Sequence, residues 1–141
     1  MRAFGATLLR VILGITFVSH GYLGYFDLTP EGTADFITVM GVPLGRMLAW
    51  YLILAHVVGG LMLIAGLWTR WAAAANVPVM LTTVLLFHLQ QGFFMTGAIA
   101  DAATGQARAV GLEYPLLVLV ATIAQVFLGG GALAMTPDTR G

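Results

Sequence analysis

Apolar residues fill four long stretches of this sequence, and most of the polar residues fall between them. The stretches run over about residues 5–26, 44–66, 70–92 and 113–135. A helix needs about 20 apolar residues to cross the hydrocarbon core of a bilayer, which is about 30 Å thick. The pattern therefore predicts an all-α integral membrane protein, with residues 1–141 forming a single transmembrane domain whose four spans pack as a four-helix bundle.

The connections between the stretches predict how the helices are arranged. Residues 66–70 form so short a link that the second and third spans must be antiparallel neighbours. In the first outer connection, Thr33 is placed to cap a short helix that carries Phe36 and Met40 on one face. We expect this short helix to lie at the membrane interface. The third connection, residues 93–111, has only weak periodicity.

Composition supports the membrane assignment and excludes several functions. Hydrophobic residues make up 60% of the chain and charged residues 9%, against roughly 25% charged in soluble domains. Six basic and six acidic residues balance to zero net charge, so there is no basic surface for a nucleic acid and none is expected as a partner. The chain has no cysteine, which excludes disulfides and thiolate-held clusters, and we expect no covalently bound cofactor.

The basic residues predict an orientation. An even number of spans puts both termini on one side of the membrane, together with Arg2, Arg70 and Arg140. The positive-inside rule places that side in the cytoplasm. We therefore expect a multi-pass protein of a bacterial or archaeal cytoplasmic (inner) membrane, with both termini cytoplasmic.

Ionisable side chains at membrane depth cost a few kcal/mol each, so they usually face the bundle interior. Counting about 1.5 Å of rise per residue from the middle of each span predicts an outer cluster of His20, His88 and Glu113. The same count puts His56 and Gln125 near the midplane as a second pair, and Arg10 toward the cytoplasmic side. These six residues are the candidates for quinone binding or proton relay.

Each candidate also has a structural interpretation. A histidine can pass protons near neutral pH, but it can equally make an interhelical hydrogen bond. Glu113 stands at the start of a helix, where an acid favours the helix dipole. Arg10 could extend toward the cytoplasmic surface or pair inside the bundle. The third span adds a stripe of polar residues that either lines a polar seam or packs helices together, namely Asn76, Thr83 and Gln90.

Several short motifs, in this order and spacing, resemble the DoxX family of small four-span membrane proteins. They are LRVILG at 9–14, FVSHG at 17–21, GVP at 41–43, GGLMLIAGLWTR at 59–70, HLQQGFF at 88–94 and EYPLL at 113–117. Carried over residue by residue, the family's marks fall on Arg10, His20, His88 and Glu113. The chain departs from the family pattern at His56, where an acid is frequent, and at Gly24, where a basic residue is frequent.

The resemblance implies a membrane subunit of a quinone-coupled oxidoreductase, of which the thiosulfate:quinone type that oxidises sulfur compounds is one example. It also implies a larger membrane protein complex as a partner, beside the lipid bilayer itself. Two alternatives stay open. One is a noncatalytic accessory or anchoring subunit, and the other is a haem b bundle ligated by His20 and His88. No other metal site is expected. Whether the chain is itself an enzyme is left undecided by its sequence.

Overall fold

The computed structural model describes residues 1–89, 92–95 and 111–136, and these residues form helices and loops without a strand. Gln90, Arg140 and most of the third connection lie outside the described residues. Two of the helices continue into a π-helical turn. The elements are α1 (Arg2–Tyr22, then π-helical Leu23–Asp27), α2 (Pro30–Val39), α3 (Gly45–Ala65), α4 (Thr69–Thr82, then π-helical Thr83–His88) and α5 (Glu113–Leu128).

Within the described residues, three helices are long and apolar enough to cross a membrane, which supports the prediction of a helical membrane protein. They run over Arg2–Asp27, Gly45–Ala65 and Thr69–His88. The fourth apolar helix, α5, has 16 residues, a length of about 24 Å. It ends seven residues before the predicted 135 because Gly129 and Gly131 adopt positive φ angles of 74° and 76°, which a right-handed helix cannot include. Four full spans therefore stay a prediction.

The four long helices alternate in direction. Arg10 of α1 bonds to the last turn of α3, and His20 lies beside His56 of the same helix, so α1 and α3 are antiparallel. The α4 helix follows α3 through a tight turn, and α5 packs on α4. We call the end of the bundle that holds His20 and Glu113 the histidine end, and the opposite end the terminal end.

The two ends of the described chain meet at the terminal end of the bundle. The backbone N–H of Ala132 donates to the carbonyl of Ala3, at 3.1 Å. Arg10 reaches the same loop through the carbonyls of Gly130 and Leu133. Residues close to the two ends of the described chain therefore lie together, whereas the position of both termini on one side of the membrane stays a prediction.

The short α2 helix forms in the first outer connection, but the predicted cap is wrong. The helix begins at Pro30, and the Oγ1 of Thr29 accepts from the backbone N–H of Gly32, at 3.2 Å. Proline favours the first turn because its φ angle is already helical, so the helix starts earlier than the sequence indicated. Thr33 is buried instead and donates to the carbonyl of Gly24, which ties α2 to the end of α1. The interfacial position of α2 stays a prediction.

Close helix packing in the bundle depends on glycine. Gly14 of α1 faces Gly60 of α3, and a Cβ atom placed on Gly14 would lie 2.6 Å from the Gly60 carbonyl oxygen. A Cβ on Gly60 would in turn lie 2.9 Å from the Gly14 carbonyl oxygen. Small residues at such crossings let two backbones approach closely. The crossing brings the two histidines of these helices to the same level of the bundle.

Candidate functional site

All three histidines of the chain line one cavity of about 270 Å³ at the histidine end. His20 comes from the last turn of α1, His56 from the middle of α3, and His88 from the π-helical turn after α4. We call this space the histidine cavity. The rest of its lining consists of Thr16, Phe17, Met80, Thr83, Met95, Gly111, Tyr114, Pro115 and Val118.

His56 is the most buried of the three rings, with 6% of its surface exposed. Its ring centroid lies 4.9 Å from that of Phe17 and 6.4 Å from that of His20. Room for the contact comes from Gly21, where an added Cβ would lie 3.1 Å from the Cβ of His56. His56 therefore belongs with the outer cluster, whereas the sequence had paired it with Gln125.

Asn76 stands next to His56 and is completely buried. Its Nδ2 donates to two carbonyls, that of Ala55 at 2.9 Å and that of Ala72 at 3.0 Å. Asn76 Oδ1 and His56 Nδ1 both lack a hydrogen-bond partner within the described residues. Asn76 and His56 thus each keep a buried polar atom that a bound ligand could satisfy.

His20 is exposed at the mouth of the cavity and is held from within its own helix. Its Nδ1 lies 2.9 Å from the carbonyl oxygen of Thr16. A carbonyl oxygen only accepts hydrogen bonds, so Nδ1 carries the proton of the neutral ring. The other nitrogen, Nε2, is the one that His20 can offer to the cavity.

His88 is half-buried and belongs to the π-helical turn Thr83–His88. Its Nδ1 is buried and has no hydrogen-bond partner within the described residues. A π-helical turn is rare and frequently marks a functional site. The residue count predicted His88 at the level of His20, and both line the cavity. The only sign of the π-helical turn in the sequence is Pro78, one turn earlier, which removes a donor from the helix.

Glu113 lies at the edge of the cavity without lining it. One carboxylate oxygen accepts from the backbone N–H of Met95, at 2.8 Å, while the backbone N–H of Glu113 donates to the carbonyl of Phe93. Met95 and Tyr114, on either side of this contact, both line the cavity. The structure therefore gives Glu113 a role in holding the rim of the cavity.

Arg10 is buried far from the histidines, with 2% of its surface exposed. Its guanidinium donates to the carbonyls of Leu63 and Ile64, both at 2.7 Å, in the last turn of α3. It also donates to the carbonyls of Gly130 at 2.8 Å and Leu133 at 2.6 Å. Because the last carbonyls of a helix lack partners and carry negative partial charge, Arg10 closes the end of α3 and fixes the loop after α5.

Gln125 is also separate from the histidine cavity. Its side chain is completely buried and its Nε2 donates to the carbonyl of Gly129, at 2.5 Å, just past the end of α5. Its Oε1 has no partner within the described residues. The structure thus places two of the six sequence candidates, Arg10 and Gln125, toward the terminal end.

The described residues contain no group of three or more histidine, cysteine or acidic side chains arranged to hold a metal ion. The wall of the cavity combines aromatic and thioether side chains, such as Phe17 and Met80, with the imidazole rings of the three histidines. Such a surface suits a flat ring that carries polar substituents.

Comparisons with known proteins agree with the fold. The sequence model of the family DoxX matches residues 5–89, more than half of the chain. A protein of Bacillus subtilis (strain 168), named "Putative oxidoreductase CatD", is 27% identical over 133 residues, which cover 94% of this chain and 85% of that protein. No solved structure matches the chain.

Proposed function

Because this chain belongs to the DoxX family, we propose that it is a membrane subunit of a quinone-coupled oxidoreductase and that the histidine cavity holds the quinone ring. The observation that carries the proposal is the convergence of His20, His56 and His88 on one cavity from three separate elements. The name of the Bacillus subtilis relative supports the oxidoreductase class. The electron donor, a sulfur compound in the thiosulfate:quinone type, would be handled by a partner subunit.

The residues of the cavity fit a quinone ring. Two of the three imidazoles have a buried nitrogen without a partner within the described residues, and a neutral imidazole can donate or accept a hydrogen bond. Phe17 and Met80 provide apolar contacts for the faces of a ring. When bound, a quinone supplies a pair of ring oxygens that exchange protons as it is reduced or oxidised. The histidines would hold those oxygens and pass their protons toward the exposed His20.

The size of the cavity favours a single ring over a haem. Sites for small molecules usually have volumes of about 300–1,000 Å³, and the histidine cavity, at about 270 Å³, lies just below that range. A tetrapyrrole ligated by His20 and His88 would need considerably more space between α1 and the π-helical turn. We therefore rank the haem b alternative below the quinone proposal.

The accessory-subunit alternative is favoured by a different observation. The charged groups of Glu113 and Arg10 both hydrogen-bond to backbone atoms of this chain. Such bonds are expected of residues that stabilise a scaffold. A noncatalytic subunit of a larger complex would need only such structural contacts and no bound quinone. The two functions differ in whether the purified protein retains a quinone.

One preparation separates the three functions. The protein is purified in mild detergent from its native membrane, its absorption spectrum is recorded, and its lipids are extracted for quinone analysis. We expect a retained quinone and no Soret band. A Soret band would establish the haem function, and a quinone content equal to that of empty detergent micelles would favour the accessory subunit.

A matched pair of variants assigns the retained quinone to the cavity. His88→Gln removes one imidazole from the histidine cavity, and we expect it to lower quinone retention by about tenfold, the equivalent of one hydrogen bond. Tyr51→Phe serves as the control because Tyr51 lines a different, apolar cavity between α3 and α4. Equal retention in both variants would show that the quinone lies elsewhere.

A further inference from the structure

A second cavity adjoins the histidine cavity. It has a volume of about 200 Å³ and lies between α2, α3 and α4, and Thr83 lines both spaces. On α3, Leu52 lines the second cavity, and His56, one turn later, lines the histidine cavity. We call the second cavity the side groove. The two spaces therefore meet at Thr83, along the boundary between α3 and α4.

The side groove is apolar, although three of its side chains carry hydroxyl groups. Tyr51, Thr82 and Thr83 each donate to a backbone carbonyl of α4, at 2.7, 2.8 and 2.9 Å. The other described lining residues are aliphatic, aromatic or proline, and none of them is charged. A hydrocarbon chain that lies against this wall leaves no hydroxyl hydrogen without an acceptor. Tyr51→Phe removes only a hydroxyl that is directed at α4, so it remains a control for the ring site.

The side groove opens on a surface that faces lipid. Pro78, Thr82 and Leu86 line it and are all exposed. They belong to α4 and its π-helical turn, which together are long and apolar enough to cross a membrane. On the α2 side of the groove, Phe36 stacks on Phe87, with 5.1 Å between the ring centroids. A hydrocarbon chain in the bilayer can thus reach the groove from the side of the bundle.

The two spaces differ in their hydrogen-bonding groups. In the histidine cavity, the Nδ1 atoms of His56 and His88 are buried without a partner within the described residues, whereas no described lining residue of the side groove has such an atom. We propose that one amphiphilic molecule occupies both spaces, with its polar ring against the histidines and its isoprenoid tail in the side groove. The ligand is then a membrane quinone with a long tail and not a small water-soluble quinone. The inference rests on the proposed function and adds the class of quinone.

Four quinones compare ring and tail on the unmodified protein. Ubiquinone-2 and menaquinone-2 each carry two isoprene units, and 2,3-dimethoxy-5-methylbenzoquinone and menadione are the same rings without a tail. The protein is washed free of quinone in mild detergent, and dissociation constants are measured by isothermal titration calorimetry as mole fractions within the micelles. We expect the tailed member of a series to bind about tenfold more tightly than its ring alone. Equal affinities would overturn the inference and leave the ring site standing, whereas no binding in either series would overturn the proposed function too.

A matched pair of variants fills the side groove or the lipid-facing surface beside it. Leu86 lines the groove and is 46% exposed, whereas Leu85 is 49% exposed and lines neither space. We expect Leu86→Trp to weaken binding of the tailed quinone by about fivefold or more and to leave its tail-less ring within about twofold. Leu85→Trp should leave both within about twofold. An equal loss for ring and tailed quinone, or no loss for either, would count against the inference.

A second pair approaches the groove from the α2 side, in case Leu86→Trp does not fold. Val42 lines the groove, whereas Val39 is 84% exposed and lines neither space. Val42→Phe should repeat the selective loss of the tailed quinone, and Val39→Phe should not. On the unmodified protein, a quinone with a diazirine at the end of its tail should attach on illumination to residues 48–52 or 82–87. Attachment mainly to α1 or α5 would overturn the inference, and would leave the groove to a phospholipid chain.

Discussion

The ring of His20 meets the ring of His56 edge to face, with 6.4 Å between their centroids and 78° between their planes. The two residues lie on different helices, one at the exposed mouth of the cavity and one in the interior of the bundle. Their proximity therefore places one imidazole at the exposed end of the cavity and the other at its buried end. This relationship depends on how closely α1 and α3 approach each other, which several substitutions can test.

The contact between α1 and α3 should be intolerant of a single methyl group at Gly14. A Cβ there would lie 2.6 Å from the backbone oxygen of Gly60, whereas a Cβ at Gly5 would have no neighbour within 4 Å. We expect Gly14→Ala to lower the free energy of unfolding by about 2 kcal/mol through overpacking. The matched Gly5→Ala should be neutral or stabilising by about 0.5 kcal/mol. Thermal unfolding followed by circular dichroism in detergent measures both, and equal melting temperatures would argue against this helix contact.

The alternation of helix directions predicts which residues share a side of the membrane. Leu133 lies at the terminal end beside the start of α1, and Glu31 lies in α2 at the opposite end. Because the chain has no native cysteine, Leu133→Cys and Glu31→Cys each introduce the single thiol of the protein. A membrane-impermeant maleimide should label Glu31→Cys in intact cells and Leu133→Cys only after permeabilisation. Labelling of both in intact cells would mean that the number of spans is odd.

Arg10 should contribute more to stability than any exposed arginine. Removing it leaves four carbonyls without their donor, two of them at the end of α3. We expect Arg10→Gln to lower the free energy of unfolding by about 3 kcal/mol, because each buried carbonyl left without a donor costs about 1–3 kcal/mol and glutamine can satisfy only some of them. Arg10→Lys should recover only part of the loss, because an ammonium cannot reproduce the fork of a guanidinium. Arg2→Gln, at an exposed position, is the control, and a similar melting temperature for Arg10→Gln would contradict this role.

The sequence predicted the positions of the site residues along the helix axes better than the direction in which each side chain points. A count of residues along each span placed His20 and His88 at one level, and both line the cavity. The count could not show that His56 reaches the same cavity, because that depends on the crossing of α1 and α3 at Gly14. It also could not show which way Gln125 points, because a residue count along α5 gives depth but not rotation about the helix axis.

The remaining differences come from backbone geometry that the sequence pattern does not express. The end of α5 at Leu128 is fixed by the glycines after it, whose positive φ angles stop the helix inside an apolar run. The π-helical turn that carries His88 has only six residues, too few for a repeat of apolar positions to reveal it in the sequence. Asn76 was noticed only as one residue of a polar stripe, because its hydrogen bond to the Ala55 carbonyl crosses from α4 to α3.

Substitutions of Glu113 distinguish a positioning role of its carboxylate from a role in proton transfer. Its carboxylate accepts the backbone N–H of Met95, which lines the histidine cavity. Glu113→Gln keeps an oxygen acceptor at the same position, so we expect near-native quinone retention and a melting temperature close to that of the unmodified protein. Glu113→Leu removes the acceptor, and we expect quinone retention to fall several-fold and the free energy of unfolding to fall by about 1–3 kcal/mol. If Glu113→Gln lost quinone-linked turnover in the native complex while retaining the quinone, the carboxylate would be transferring protons and the positioning role would be wrong.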